Sequence, residues 1–174
     1  MAVTVTSLNV NGLRTMDRGL PKRRKLFTWL KNISSDVVFL QETHSDSHLG
    51  QIIEKEWGGK CYFSHGDRNS RGVAVLLNPS LKFEVVNVRL CTEGRFVVLK
   101  AVINGAAVTF GNIYGPNADD TSVFESFFNC CEELNSDAMI FGGDWNFVFE
   151  AKIDRVSTAK RVANNNRCRD LVSQ

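Results

Sequence analysis

The residues best suited to chemistry stand where an apolar run ends, at Asp144 and Asn146 directly after Ala138–Gly142. In an extended stretch, positions i and i+2 share a face, so both side chains would point into the same space. A carboxylate that can orient or deprotonate a water, beside an amide that can donate to an oxyanion, suits phosphoester hydrolysis. The same residues could instead form a turn stabilised by Asx hydrogen bonds.

Three other predicted strands end in polar side chains in the same way. These side chains are Asn9 and Asn11, Gln41 and Glu42, and Tyr114 and Asn117. Taken singly, each could serve a turn, a cap or the rim of the core. Strand ends that converge on one edge would bring them together with Asp144 and Asn146, on the rigid scaffold that preorganised catalysis needs. The carboxylate of Glu42 is suited to hold a hard cation such as Mg²⁺ through few direct ligands plus water.

The spacing of apolar residues predicts an α+β fold, with strands stacked inside and helices outside. Strands are predicted at 3–10, 36–40, 60–64, 72–77, 83–91, 95–103, 107–114 and 138–142. Helices are predicted at 22–32, 47–57, 121–134 and from 164 onward. On the first helix, the side chains expected to face inward are Leu26, Trp29, Leu30 and Ile33. Since no repeat or domain boundary is found, residues 1–174 are predicted to form a single domain.

The amino-acid composition limits which binding partners are expected but does not identify one. The chain has 174 residues, enough for one domain with a sizeable core, and its net charge of +2 excludes a strongly basic nucleic-acid binder by composition alone. Basic residues nevertheless concentrate in 14–31 and 152–169. Both stretches could contact phosphates, or could be a solvated helix face and a tail.

The expected location is nuclear or cytoplasmic, and a secreted protein is not expected. The N-terminus lacks the basic and apolar regions of a secretory signal, and no apolar stretch is long enough to cross a bilayer. The five cysteines have no C-x-x-C spacing, which favours reduced thiols over a disulfide framework or a zinc site. Because no stretch of the chain is long and apolar enough to cross a bilayer, no membrane partner is expected.

Four motifs resemble the signature blocks of the endonuclease/exonuclease/phosphatase superfamily, in the family's order and spacing. They are Leu8–Arg14, Leu40–His44, Ile113–Asn117 and Gly142–Asn146. Within the superfamily the chain looks most like the endonuclease domain of LINE-class retrotransposons, and next most like exonuclease III and the apurinic/apyrimidinic endonucleases. Repair endonucleases typically carry Asp where this chain has Asn11 and Lys where it has His44, which favours the retrotransposon branch.

The resemblance implies a two-sheet β-sandwich flanked by helices, with the site at one edge. It implies that Glu42, with Asn9 and Asn11 in the same shell, binds Mg²⁺, for which Mn²⁺ could substitute. Tyr114 would stabilise charge in the transition state and Asp144 would activate the attacking water.

Further roles implied by the resemblance concern the substrate. Asn146 would hold the scissile phosphate. Asn117 and Arg155 would contact DNA at the rim of the site. His44 and Arg14 are also expected to contact the substrate.

The expected activity is Mg²⁺-dependent nicking of DNA, with a reverse transcriptase as a possible further part of the same longer polyprotein. The family pattern continues with more strands and a final Ser-Asp-His motif beyond Gln174. The domain is therefore expected to be C-terminally incomplete here, with its last strands and its catalytic His missing. Two alternatives remain open: a phosphatase or phosphodiesterase of the same superfamily that acts on another substrate, and a non-catalytic remnant that binds nucleic acid.

Overall fold

The computed structural model describes residues 3–17, 20–149 and 166–173. Arg155 and most of the second basic stretch lie outside these ranges. Two four-stranded sheets form the centre of the molecule. The first sheet has the order β1 (Val5–Asn9), β4 (Val37–Gln41), β6 (Val73–Leu77) and β5 (Cys61–Ser64). The second has the order β10 (Ala138–Asp144), β9 (Ala106–Tyr114), β8 (Phe96–Ile103) and β7 (Glu84–Leu90).

Four helices and one short hairpin complete the described elements. The helices are α1 (Lys22–Asn32), α2 (Ser47–Trp57), α3 (Ser122–Glu133) and α4 (Asn166–Val172). The hairpin joins β2 (Met16–Asp17) to β3 (Leu20–Pro21). Sequence patterns do not predict this hairpin, because strands of two residues are too short to show a period. In the described part of the chain, no helix is both long and apolar enough to cross a membrane.

The layers follow from the two-residue period of the strands. In β4, Val38 and Leu40 pack with α1 and α2, whereas Val37 and Phe39 pack against the second sheet. Every residue of β4 is therefore buried. The outer face of the second sheet is covered by α3 and α4, with Phe124 and Phe127 fully buried. The expected α+β sandwich of two sheets flanked by helices is confirmed.

The inward face of α1 differs from the sequence prediction. Leu30 is buried as expected, but Trp29 and Ile33 are 46% and 41% exposed, and Phe27 is buried instead. Phe27 packs edge-to-face on Trp57 of α2, with ring centroids 5.7 Å apart. Helical spacing admits both sets of residues, and the position of the Trp57 ring decides between them.

A buried polar network joins the two sheets beneath their strand ends. The side chain of Asn112 in β9 accepts from Gln41 Nε2 at 2.7 Å and donates to the carbonyls of Leu40 and Ala74 at 3.1 and 2.8 Å. Gln41 also donates to Ser7 Oγ at 3.1 Å. Asn112 and Gln41 are 0% and 1% exposed, so these hydrogen bonds hold the sheets in one register.

Candidate active site

Two parallel strand pairs bring the predicted residues to one edge. β1 runs parallel to β4, and β9 runs parallel to β10, so the carboxyl ends within each pair face the same way. The hydrogen bond from Asn9, at the end of β1, to Asp144, at the end of β10, brings the two pairs of ends together. The pairing of β10 continues two residues beyond the predicted end, because Gly142 and Gly143 have no side chain. A Cβ on Gly142 would lie 2.8 Å from the Phe39 ring, and one on Gly143 would lie 2.0 Å from the carbonyl of Ile113. Asp144 is thereby placed in the strand itself, opposite Tyr114.

Asn9 connects the two carboxylates of the site. Its amide nitrogen donates to Glu42 Oε1 at 3.0 Å and to Asp144 Oδ2 at 2.8 Å. Its amide oxygen accepts from the backbone N–H of Asn11 at 3.1 Å, which fixes the orientation of the amide. Residues 33 and 135 positions away from Asn9 therefore meet at one side chain. Two carboxylates held on a single neutral donor leave a local excess of negative charge that favours a cation.

Tyr114 and Asn146 lie on the second sheet's side of this cluster. The hydroxyl of Tyr114 hydrogen-bonds with Glu42 and Asn146. Asn146 donates its amide N–H to the carbonyl of Gly115 at 2.8 Å, and its backbone N–H donates to Asp144 Oδ1 at 3.1 Å. Five of the predicted residues, Asn9, Glu42, Tyr114, Asp144 and Asn146, thus come together.

The phenol of Tyr114 is held in its neutral form. Burial raises the pKa of Tyr114 above its ordinary value, and the hydrogen bond and negative charge of Glu42 raise this pKa further. The nearby amide of Asn146 lowers the pKa, but by less. Tyr114 is 8% exposed and therefore stays a hydrogen-bond donor at neutral pH.

Backbone strain marks the same edge. Glu42, His44 and Asn146 have φ angles of 52°, 49° and 53°, in the left-handed region that non-glycine residues rarely occupy. Hydrogen bonds hold the backbone around Glu42 in place: the carbonyl of Glu42 accepts from Gly12 N–H at 2.7 Å, and Thr43 N–H donates to the carbonyl of Gly72 at 2.9 Å. Such strain collects at functional sites, where surrounding structure holds side chains in place.

The rim residues differ in how they are placed. His44 Nε2 lies 3.6 Å from Glu42 Oε2. Asn117 lines two cavities, of about 620 and 480 Å³; the first is also lined by Asp144 and the second by Glu42. Arg14 does not face the cluster, because it forms an ion pair with Asp46 and donates to the carbonyl of His44 at 3.2 Å. Arg155 lies outside the described residues. The roles predicted for these four residues stay predictions.

The donor set fits a hard divalent cation at Glu42. Its carboxylate has lone pairs beyond the one used by Asn9, and its oxygens are ligands that Mg²⁺ prefers. Among the described residues, no group of three or more His, Cys, Asp and Glu side chains is arranged to hold a metal. Few protein ligands plus water is the usual coordination of Mg²⁺. Asn9 presents its amide nitrogen to the cluster and Asn11 contributes a backbone N–H, so metal ligation by either stays a prediction.

Two arginines that the sequence analysis does not identify border the site. The guanidinium of Arg95 lies 5.3 Å from the centroid of the Tyr114 ring, and Arg95 also donates to the carbonyl of Gly115 at 3.1 Å. Arg71 lines the same cavity as Arg95, Glu42 and Tyr114. Neither arginine belongs to a strand-end motif, and only the pairing of β8 with β9 brings Arg95 to Tyr114.

Comparison with known proteins identifies related sequences. A family model described as the Endonuclease/Exonuclease/phosphatase family matches residues 6–161. The "Transposon TX1 uncharacterized 149 kDa protein" of Xenopus laevis is 31% identical over 176 residues, which cover 99% of this chain and 13% of that protein. The chain therefore spans a small part of this relative. The predicted resemblance to the superfamily is confirmed, as is the likeness to a transposon protein.

Solved structures share the fold at low sequence identity. The Xenopus laevis APE2 catalytic domain is 18% identical with a TM-score of 0.65, covering 98% of this chain and 66% of that one. An AP endonuclease from Archaeoglobus fulgidus is 23% identical with a TM-score of 0.63, covering 99% and 69%. D. rerio TDP2 complexed with single strand DNA product is 20% identical with a TM-score of 0.63, covering 87% and 63%. These similarities establish the fold alone.

Proposed function

This chain belongs to the endonuclease/exonuclease/phosphatase family, and we propose that it hydrolyses DNA phosphodiester bonds to leave single-strand nicks. The observation that carries the proposal is the amide of Asn9, which joins the carboxylates of Glu42 and Asp144 at the convergent strand ends. This arrangement separates a cation-binding carboxylate from a proton-accepting one within a single cluster. Phosphoester hydrolysis needs both.

Asp144 is proposed to accept the proton of the attacking water. One of its oxygens accepts from the Asn9 amide and the other from the backbone N–H of Asn146, so the carboxylate has a fixed direction. A fixed carboxylate within reach of a water can act as a general base.

Tyr114 and Asn146 are proposed to contact the phosphate. The neutral phenol of Tyr114 can donate to an oxygen that gains negative charge in the transition state. The Asn146 amide is oriented by Gly115 and lies beside Tyr114, where it can bind a second phosphate oxygen. Both donors are held before substrate binds, so little reorganisation is needed during the reaction.

Glu42 is proposed to hold Mg²⁺, and Mn²⁺ could take its place. When bound, the ion would supply positive charge that neutralises the phosphate oxygens. Calorimetric titration of the protein with Mn²⁺ tests this assignment without any turnover. We expect binding that Glu42→Gln abolishes and that Glu84→Gln, an exposed carboxylate on β7, leaves unchanged. Equal Mn²⁺ affinity in both variants would remove Glu42 from the metal site.

DNA is the proposed substrate for two reasons. The chain is similar to a transposon protein. The solved TDP2 structure contains a single-stranded DNA product. We further propose that the chain acts as a domain of a longer retrotransposon protein that also carries a reverse transcriptase. Sequencing the flanking coding region tests this, and an adjoining frame without reverse transcriptase motifs would refute it.

The activity is tested by nicking of supercoiled plasmid. We expect purified protein with Mg²⁺ to convert plasmid to the open-circular form and EDTA to stop the conversion. Asp144→Ala should slow it by about 10²–10⁴-fold, the usual cost of losing a general base. Asp170→Ala on α4 removes an equal charge from an exposed carboxylate that pairs with Arg169, and it should have no effect. A folded wild-type protein that binds DNA without nicking it would instead favour a non-catalytic binding domain.

A further inference from the structure

Arg95 is a partly buried cation whose described contacts are neutral. It immediately precedes β8, donates to the carbonyl of Gly115 and lies over the ring of Tyr114. Within the described ranges, no carboxylate forms an ion pair with it, although Glu93 is near enough to influence its charge. Burial lowers the pKa of Arg95, and the positive charge of Arg71 lowers it further. A desolvated guanidinium with neutral partners is stabilised by an anion.

Arg71 brings a second guanidinium to the same place. Its Nη2 atom lies 3.0 Å from Asp67 Oδ2, and its Nη1 atom lies 3.8 Å from Glu93 Oε2. Both carboxylates are 70% exposed, so these are surface ion pairs that contribute little and can exchange for another anion. The backbone of Arg71 is fixed, because its carbonyl accepts from His44 N–H at 3.0 Å.

Both arginines open into a cavity shared with the active site. The cavity has a volume of about 480 Å³. One part of its lining is Glu42, His44 and Tyr114, and the other part includes Arg71 and Arg95. A group bound between the arginines would therefore be continuous with a group bound at Tyr114. Backbone hydrogen bonds hold the two parts of the lining together. Gly72 N–H donates to the carbonyl of Gly94 at 3.1 Å, and Tyr114 N–H donates to the carbonyl of Arg95 at 2.7 Å.

We propose that Arg71 and Arg95 form a second phosphate subsite, which binds a backbone phosphate of the DNA strand next to the phosphate that is cleaved. The inference rests on the proposed function, because it assumes that the scissile phosphate lies at Tyr114 and Asp144. A phosphodiester carries one negative charge and offers two oxygens, which match the forked donors of a guanidinium. Such contacts set the position of the strand without reading its sequence.

Arg71 is the residue to change, because Arg95 also packs on Tyr114 and its loss could act through that ring. The experiment measures binding of a labelled short duplex DNA by fluorescence anisotropy, in EDTA and over a range of KCl concentrations. Arg71→Gln removes one charge from the subsite. Arg89→Gln is the matched control: it removes one charge from β7, where Arg89 lies 4.0 Å from Glu133 and outside the cavity lining.

We expect Arg71→Gln to weaken binding roughly tenfold, as for loss of one charge-assisted hydrogen bond. The slope of log affinity against log salt should fall by about one, because one fewer phosphate is neutralised. Arg89→Gln should match the wild type in both quantities. As a second variant, Arg71→Lys should restore the salt slope, because it keeps the charge. Thermal unfolding of each variant checks that the fold is retained.

The outcomes separate this subsite from the proposed hydrolysis, since binding is measured without turnover. If Arg71→Gln lowers the salt slope but the wild type never nicks plasmid, the phosphate contact of Arg71 stands, whereas the hydrolysis and the position of that phosphate next to a cleaved one are wrong. If the wild type nicks plasmid while Arg71→Gln and Arg89→Gln bind alike, the subsite is wrong and the hydrolysis stands. A wild-type protein without salt-dependent DNA binding would overturn both.

Discussion

Replacing Asn112 with leucine should weaken the junction between the two sheets beneath the strand ends of the candidate site. Asn112 is fully buried in β9, and its side chain makes three hydrogen bonds to the first sheet. Leucine has a similar size but can form none of them. The change therefore removes polar contacts while adding little steric conflict.

The cost can be worked from the partners that are left behind. Each hydrogen bond contributes about 1 kcal/mol net, and a buried group left unpaired costs about 1–3 kcal/mol. The carbonyls of Leu40 and Ala74 lie on the paired strands β4 and β6 of the first sheet, and Gln41 keeps its hydrogen bond to Ser7. Each partner therefore loses only part of its hydrogen bonding. We expect Asn112→Leu to lower the free energy of unfolding by about 3 kcal/mol. This is a large share of the ~5–15 kcal/mol typical of a domain.

Urea denaturation followed by circular dichroism measures this loss. The matched control is Asn87→Leu on β7, where the side chain is partly exposed and accepts from Arg89. The control should change stability by less than about 0.5 kcal/mol. Nicking should also fall in Asn112→Leu, since Leu40 and Gln41 directly precede Glu42. A folded Asn112→Leu protein as stable as the control would refute the view that this network joins the sheets.

Two further changes probe chemistry and charge. Tyr114→Phe should slow single-turnover nicking about 10²–10³-fold, the usual cost of one missing transition-state donor, with urea stability near wild type; unchanged nicking would exclude the phenol. Burial raises the pKa of Glu56, but hydrogen bonds from Arg23 and Arg24 outweigh it, so the net pKa is lowered. Glu56→Gln should therefore cost about 1 kcal/mol at neutral pH. Its stability difference from wild type should vanish as pH falls through that lowered pKa, and a pH-independent difference would contradict the pairing.

Sequence reasoning located the strand ends because their signals are local. An apolar run that stops at a polar residue, as before Glu42 and Asp144, predicts both the strand and the side chain that follows it. The convergence of the four ends also requires the two sheets to be aligned face to face, which local signals do not show and the family resemblance implies. This part of the candidate site, and the sandwich around it, could therefore be predicted.

The features that were missed depend on partners distant in the chain. Asn112 pairs with Gln41 across 71 positions, so nothing beside Asn112 marks it as a link between sheets. The sequence pattern places Gln41 among the strand-end side chains, but in the structure its side chain belongs to that buried network. Arg95 meets Tyr114 only because β8 pairs with β9. Helical spacing likewise could not choose Phe27 over Trp29, since the ring of Trp57 makes that choice.

Because Asn9 joins their carboxylates, Glu42 and Asp144 are proposed to act as one catalytic unit. The direct test is single-turnover nicking by Glu42→Gln, Asp144→Asn and the double variant, with Asp170→Asn as the control. Residues that act as a unit have strongly non-additive effects. We expect each single variant to lose nearly as much activity as the double variant, and Asp170→Asn to lose none. Losses that multiply in the double variant would contradict the shared unit, and nicking retained in both single variants would contradict the site.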